Sequence, residues 1–300
     1  MAETQESVHG ELGRADRRLA LLLLAPAVLV LFTLSAYPLF YSIRLSLTTP
    51  TGAWTPGHFQ RIFSDRLFGT ALLQTFLYTA GALALELALG LLLALLLNRS
   101  LSGRNLFRTL LLLPMLMPPV VAAVIWRLLY NPSFGLINGT LQSLGMDTSG
   151  LLWIAGQQTA LASVILVDVW QWTPFMFLLL LAGLQSLPAE PYEAAQMDGA
   201  TRWQVFRDVT WPLLRPTVLV AVLLRLLDLL RVFDQIFILT EGGPGFATET
   251  ASLYIYRNAF RFVNFHYGAA LSFVLLAITT VVSLWLIRLL RGRTPAAETS

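Results

Sequence analysis

Long apolar segments are the feature that most constrains this chain. Crossing the hydrocarbon core of a bilayer, which is about 30 Å thick, takes about 20 mostly apolar residues in a helix. Six segments meet this requirement, at residues 19–43, 69–97, 106–130, 159–182, 216–239 and 268–290. Because backbone polar groups in lipid need partners within their own segment, we expect each one to be helical. The chain is therefore predicted to be an all-α, polytopic membrane protein with six transmembrane helices.

The composition excludes several other classes of protein. Of the 300 residues, 56% are apolar and only 12% are charged, whereas soluble domains carry about 25% charged residues. The chain has no cysteine, which rules out disulfides, thiolate metal sites and cysteine nucleophiles. Its three histidines lie far apart and lack metal-ligand spacing, so we expect neither a metal site nor a catalytic residue.

The first segment has an alternative interpretation as a cleaved signal peptide, because arginines precede it in the tail 1–18. Its apolar run continues to Ile43 and exceeds the 7–15 residues of a signal sequence, which favours a membrane helix at 19–43. The third segment contains Pro114, Pro118 and Pro119. We expect a kink or a partly unwound stretch there.

Arginine asymmetry predicts the orientation, since short cytoplasmic loops are enriched in positive charge. With the N-terminus inside, twelve arginines flank the inner side: Arg14, Arg17, Arg18, Arg99, Arg104, Arg108, Arg202, Arg207, Arg215, Arg288, Arg291 and Arg293. Six flank the outer side: Arg44, Arg61, Arg66, Arg127, Arg257 and Arg261. The tails 1–18 and 291–300 and the loop 183–215 are therefore predicted to be cytoplasmic.

Local signals within the loop 183–215 predict two short helices joined by a corner. Pro191 suits the first turn of a helix, and Gly199 suits a left-handed stop. Thr201 followed by Gln204 forms a capping box for a second helix. That helix has apolar residues at helical spacing and is predicted to end at two prolines; these residues are Trp203, Phe206, Val209, Pro212 and Pro216. Amphipathicity alone leaves two interpretations open, burial in lipid headgroups and docking of a partner.

The order of residues in this loop resembles a known motif. Glu193-Ala194-Ala195, three residues, Gly199, nine residues, Val209, one residue and Trp211-Pro212 resemble the EAA loop of binding-protein-dependent ABC importer permeases. Val209 stands where isoleucine is usual and Trp211 where leucine is usual. Both remain apolar, so the docking role that the resemblance implies is retained.

Two further stretches are similar to the carbohydrate branch of this family. Residues 172–185, which contain the run WTPF, look like the helix before the EAA loop, and residues 233–260 are similar to the fifth helix and outer loop of maltose and glycerol-3-phosphate permeases. The resemblance implies a type I ABC importer permease fold in a bacterial inner membrane. Its transmembrane core would be residues 69–290, with the EAA coupling loop at 183–215.

The resemblance also implies partners and roles. A second permease, favouring a heterodimer, two ATPase subunits and an external solute-binding protein would complete the importer. The chain has no phosphate-binding loop, so ATP and Mg would be held by the ATPase partners, and this chain would be a non-catalytic subunit without its own cofactor. Coupling to the ATPases would fall on Glu193, Ala194, Ala195, Gly199, Trp203, Phe206 and Pro212, although the alanines also suit ordinary helix formation.

Charged residues inside the predicted spans are expected to face a cavity or a partner, because charges at bilayer depth are costly. The fifth segment carries Arg225, Asp228, Arg231 and Asp234 at intervals of three. This stripe either neutralises itself along the helix or lines a cavity. Two helix faces, which line the sugar cavity in maltose-type permeases, contain Asp168, Gln171, Trp172, Phe175, Arg225, Asp228, Leu229 and Val232. The isolated Glu86 favours an interhelical hydrogen bond or a protonated state over a substrate role.

Two rival functions are weighed against this interpretation. A secondary, ion-coupled transporter would usually show internal repeats and need no coupling loop, and a membrane enzyme would need a convergent catalytic group. The solute stays open among disaccharides, oligosaccharides, polyols and glycerol phosphates; Arg225 would suit an acidic one. The outer turn 242–245, before an aromatic segment, either contacts the binding protein or lies in the membrane interface.

Overall fold

The computed structural model describes residues 2–98, 103–148 and 150–291, and all the regular elements in that part are helices. In chain order the α-helices are α1 (Ala2–Ser46), α2 (Gly57–Ser64), α3 (Arg66–Leu97), α4 (Arg104–Leu112), α5 (Pro119–Leu129), α6 (Leu136–Ser143), α7 (Ala160–Gln185), α8 (Glu190–Met197), α9 (Arg202–Gln204), α10 (Trp211–Leu229), α11 (Asp234–Leu239), α12 (Ala251–Tyr256) and α13 (Phe265–Arg291). A 3₁₀ turn lies at Pro114–Leu116, and π-helical turns lie at Val205–Thr210 and Arg257–Arg261. The all-α prediction is therefore confirmed for the described residues.

Helices α3 and α7 form the centre of the bundle. Asp65 is the N-cap of α3: its Oδ1 accepts hydrogen bonds from the N–H groups of Leu67 at 3.0 Å and Phe68 at 3.1 Å. Further along, Gly90 allows close approach to α7, since a Cβ atom there would lie 2.7 Å from the Cβ of Met176. Helix α10 packs against both helices and against α13, and these four helices form the core of the bundle.

The third predicted span is a broken helix, as its prolines predict. Helix α4, a 3₁₀ turn at Pro114–Leu116 and α5 follow one another, and the two halves are bent by 96°. The break exposes backbone carbonyls that need partners at bilayer depth. One of them is satisfied by Gln171 on α7, whose Nε2 donates to the carbonyl oxygen of Met117 at 2.8 Å.

Of the six predicted membrane spans, the structure supports four or five by length and hydropathy. Four helices in the described residues are long and apolar enough to cross a membrane, and the bent pair α4–α5 makes a fifth if it counts as one span. The remaining candidate, α10, carries Arg215, Arg225 and Asp228 within 19 residues. These charges make it less apolar than the others, although it packs among them.

The fifth predicted span, 216–239, is not one continuous helix. Helix α10 ends at Leu229 and α11 begins at Asp234. Arg231 stabilises this end, because its Nε donates to the carbonyl oxygen of Leu227 at 2.9 Å and satisfies a group that the helix leaves without a partner. The prediction was wrong here because apolar periodicity continues across the break.

The first predicted span and the tail 1–18 before it belong to one helix, α1. Helix α1 packs against α13, while nearly all its apolar side chains from Leu21 to Phe40 are exposed. Exposed apolar side chains along a whole helix are typical of contact with lipid. At the other end, residues 292–300 of the predicted tail 291–300 lie outside the described residues.

Candidate functional site

The loop 183–215 contains the corner that its sequence predicts. Helix α8 ends at Met197, and Gly199 has a φ of +71°, a backbone conformation that glycine adopts without strain. The capping box is present at the start of α9: Gln204 N donates to Thr201 Oγ1 at 3.4 Å, and Thr201 N donates to Gln204 Oε1 at 2.8 Å. Two predicted helix boundaries are therefore confirmed.

The predicted end of the second short helix was wrong. Pro212 and Pro216 do not stop it; a π-helical turn at Val205–Thr210 follows α9 and runs into α10, which contains both prolines. Pro212 is the second residue of α10, close to the wider π turn, where a missing N–H is more easily tolerated than inside a regular helix. The loop therefore continues into α10 without a break in its helical backbone.

Aromatic side chains form one surface of this loop. Trp203, 66% exposed, stacks on Phe206 with ring centroids 5.7 Å apart, and Phe206 lies 6.4 Å from the ring of Trp211. A cleft of about 970 Å³ separates the loop from the end of α3; it is lined by Leu95, Asn98, Tyr192, Gln196, Ala200, Arg202, Trp203, Val205, Phe206 and Thr210. The predicted aromatic residues therefore lie together and are accessible.

The other predicted coupling residues lie around this corner. Those that are exposed are Glu193, Ala194, Gly199 and Pro212, whereas Ala195 is half-buried. Sequence reasoning missed Met197, which is 89% exposed at the end of α8. A large apolar residue just before the Asp198-Gly199 corner was the signal that would have identified it. Beside the aromatic surface, hydrogen bonds from Arg207 lower the pKa of Asp208.

Three charged side chains meet in the middle of the bundle. The guanidinium of Arg225 donates to Glu86 through Nε and Nη2, both at 2.7 Å, and to Asp168 through Nη2 at 2.6 Å. The three side chains are at most 4% exposed. We call Glu86, Asp168 and Arg225 the buried ion triad. It joins α3, α7 and α10 and gives Glu86 the interhelical partner that its sequence position favours.

Of the two alternatives for the stripe on the fifth segment, self-neutralisation along the helix holds for only one of its pairs. Asp228 pairs with Arg231, at 3.7 Å and in an exposed position, but Arg225 pairs with the two carboxylates of the triad instead. Glu86 offers a bidentate partner in a buried environment, where charge-assisted bonds are stronger than at an exposed surface. Arg225 is therefore occupied and 2% exposed.

A cavity of about 410 Å³ lies beside the triad at the α10–α11 break. It is lined by Pro119, Asp168, Trp172, Arg225, Asp228, Leu229, Arg231, Val232, Phe233, Asp234 and Gln235. Six of the eight predicted path residues are in this lining. Trp172, half-buried, also has the guanidinium carbon of Arg225 over its ring at 5.0 Å. The cavity thus combines an aromatic surface with carboxylates.

The remaining two predicted path residues, Gln171 and Phe175, are not in the cavity lining. Gln171 is fully buried, and its Oε1 accepts a hydrogen bond from Gln235 at 2.8 Å while its Nε2 holds the broken helix. Tyr78 extends this chain of bonds by donating to Gln235 at 3.1 Å. Phe175 contacts the ring of Trp172 edge-on, with centroids 6.2 Å apart. Both residues therefore support the cavity wall from behind.

The turn 242–245 packs against the buried carboxylate of Glu249, which leaves no room for a Cβ atom at Gly242. Glu249 is fully buried, and Arg257 Nη2 lies 3.0 Å from its Oε2, yet neither carboxylate oxygen accepts an aligned hydrogen bond. Burial raises the pKa of Glu249 to about 7, although Arg257 and Arg261 oppose this shift. The turn therefore depends on a carboxyl group that is poorly stabilised in its charged form.

A match to a family model decides the family. Residues 86–294 match the model described as "Binding-protein-dependent transport system inner membrane component". The chain belongs to this family. It is 41% identical over 280 residues to the probable ABC transporter permease protein y4oQ of Sinorhizobium fredii, covering 89% of this chain and 88% of that protein. It is 37% identical over 293 residues to the trehalose transport system permease protein SugA of Mycobacterium tuberculosis, covering 95% and 93%.

The fold of this chain also matches that of a chain in a solved structure. It is that of a bacterial ABC transporter involved in the import of the acidic polysaccharide alginate, with a TM-score of 0.83, 25% identity, and 96% of this chain and 100% of that chain covered. The resemblance drawn from the EAA order and the expected permease fold are confirmed. The chain is thus a multi-pass membrane protein of a binding-protein-dependent transport system.

Proposed function

We propose that this chain is one permease subunit of an ATP-driven importer and that its loop 183–215 transmits motion from ATPase partners. The observation that carries the proposal is the geometry of this loop: a left-handed corner at Gly199 presents Met197 and Trp203 to the outside. Large exposed apolar side chains around a polar corner suit a protein partner. Two ATPase subunits that hold ATP and Mg would supply the hydrolysis that this chain does not perform.

The path from loop to cavity is short, because the loop connects α7 directly to α10. These two helices carry Asp168, Trp172 and Arg225. A displacement of the loop therefore reaches both walls of the cavity through rigid helices, and packed helices move between discrete arrangements rather than deforming smoothly. ATPase closure would in this way switch the cavity between its two openings.

We propose a sugar or related polyol as the solute, taken up along the cavity beside Trp172. A pyranose presents hydroxyl groups and an apolar ring face, which need hydrogen-bond acceptors and an aromatic platform. Trp172 is the platform, and Asp228 and Asp234 are the cavity carboxylates that lie outside the buried ion triad. The trehalose permease among the relatives supports this choice. A second permease, in a heterodimer, would form the other wall, and a solute-binding protein would deliver the sugar.

The test is uptake by the complete importer in proteoliposomes, with radiolabelled trehalose as the probe and its binding protein outside. We expect uptake that requires ATP inside and continues after ion gradients are dissipated. Uptake driven by an ion gradient without ATPase subunits would instead support a secondary transporter. Trp172→Ala should reduce uptake per complex, and normal uptake by this variant would remove the cavity from the sugar path.

We also propose that both termini and the loop 183–215 face the cytoplasm, on the basis of the arginine asymmetry. In this cysteine-free chain, a cysteine replacing the exposed Thr201 should resist an impermeant thiol reagent added to intact cells. A cysteine replacing Phe246, exposed on the outer turn, should be labelled. Phe246 is a better choice than Thr248, which is buried and donates to the carbonyl oxygen of Gly243. Labelling of the Thr201 variant would reverse the orientation.

A further inference from the structure

We propose that Glu86 and Arg225 are positioning residues that fix the ring of Trp172 in the cavity wall. The inference rests on the proposed sugar path, and it assigns a role to the buried ion triad beyond holding helices together. Neither residue would bind the sugar itself. Arg225 would act through its contact with Trp172, and Glu86 would act by orienting Arg225.

The triad gives Arg225 one possible orientation. Two N–H groups form a fork with both carboxylate oxygens of Glu86, and a third bond runs to Asp168. Such bidentate pairing fixes the plane of a guanidinium as well as its position. Arg225 is 2% exposed and would have to break its bonds to Glu86 and Asp168 to turn toward a solute in the cavity.

The fixed guanidinium then defines the place of Trp172. Asp168 and Trp172 are one turn apart on α7, so they lie on the same helix face. The guanidinium bonded to Asp168 therefore lies over the indole, with its central carbon 5.0 Å from the ring centroid. A cation over an indole face is attractive, most strongly when water is excluded. Phe175 contacts the same ring edge-on, and the ring is thereby held between two neighbours.

A simpler role for the triad is neutralisation of buried charge, and the two roles predict different behaviour. If neutralisation were the whole role, replacing all three side chains by neutral ones of similar size would preserve function, because buried ion groups can often be replaced in this way. If the triad positions Trp172, that neutral variant assembles but loses the ring orientation. Glu86→Gln, Asp168→Asn and Arg225→Met together make this variant.

The experiment uses the complete importer with its partners, labelled with fluorotryptophan. Trp172→Phe identifies the fluorine resonance of Trp172 among those of the eight tryptophans of this chain and of its partners. We expect a shifted or broadened Trp172 resonance in the neutral triple variant and in Arg225→Lys, which keeps the charge but loses the planar fork. Trehalose uptake per complex should fall roughly tenfold, the order of effect expected for a lost desolvated cation–π contact. Arg288→Lys, at the exposed end of α13, is the matched control and should change neither readout.

A Trp172 resonance at its normal position in both variants, with normal uptake, would overturn the proposal. So would the failure of both variants to assemble while Arg288→Lys assembles, since the triad would then be purely structural. The resonance is recorded without sugar, so it tests positioning even if Trp172 is not on the sugar path. Failure of the path itself appears separately, as normal uptake by Trp172→Ala.

Discussion

The loop 183–215 and the buried ion triad are built in opposite ways. The loop is held by bonds between near neighbours, such as Thr201 with Gln204, and it leaves Met197 and Trp203 exposed. The triad joins side chains 57 and 139 positions apart and leaves almost no surface exposed. Large apolar side chains exposed at a surface are typical of a site that binds a partner. Buried side chains that pair with one another instead hold together the helices that carry them. On our proposal, the loop receives motion from a partner and the triad holds together the bundle that transmits it.

The largest effect should come from breaking the triad. Arg225→Leu leaves two carboxylates buried without their partner, which we expect to destabilise the bundle by about 3–5 kcal/mol. Thermal unfolding of the purified complex, followed by tryptophan fluorescence, measures this loss. Because Asp228 pairs with Arg231, adding Asp228→Leu should not restore stability. Restoration by that second change would mean that the stripe on α10 is self-neutralising after all.

Gly199→Pro should abolish transport while destabilising the fold less than Arg225→Leu does. Proline holds φ near −65°, whereas Gly199 has +71°, so the corner must change shape while the spans remain. We expect stimulation of ATP hydrolysis by the loaded binding protein to be lost. Gly145→Pro is the matched control, because Gly145 has a φ of +83° and, like Gly199, open space around it. If Gly199→Pro were coupled normally, the corner would have no part in transmission.

The two regions also differ in how far their sequence predicts them. The loop could be predicted because its signals are local: a capping box, a glycine corner and the spacing from Glu193 onward. The partner of Arg225 could not be predicted in this way, because spacing alone favours Asp228, the nearest carboxylate along the helix. Nothing in the sequence places Glu86 opposite Arg225; only the packing of α3 on α7 and α10 does.

The same reasoning explains the other misjudged residues. Gln171 shares a helix face with Trp172, as periodicity predicts, but its amide bonds the broken helix and Gln235 instead of facing the cavity. The break between α10 and α11 could not be predicted either, because the apolar pattern of the sequence continues through it. Local spacing therefore identified which residues share a face, but not which neighbour that face meets.

The smallest expected effect concerns Glu249, a buried carboxyl group that, unlike the carboxylates of the triad, accepts no aligned hydrogen bond. Its pKa is raised by burial to about 7 from an ordinary value of 4.5, so the folded protein binds this proton more tightly than the unfolded chain. Stability from this group is therefore full below about pH 4.5 and is lost as the pH rises through about 7. We expect Glu249→Gln to remove this slope from melting temperatures measured across that range. Glu241→Gln, at an exposed pair with Arg261, should retain it.

The most direct test of the central claim, that the loop is a docking surface while the triad holds the bundle, is copurification of partners with this chain. Met197→Asp places a charge at the most exposed apolar position of the corner, and Phe63→Asp does so at an equally exposed position on α2, 94% exposed. We predict that the Met197 variant loses its ATPase subunits and retains the second permease, whereas the Phe63 variant retains both. Full retention of the ATPase subunits by Met197→Asp would contradict the claim.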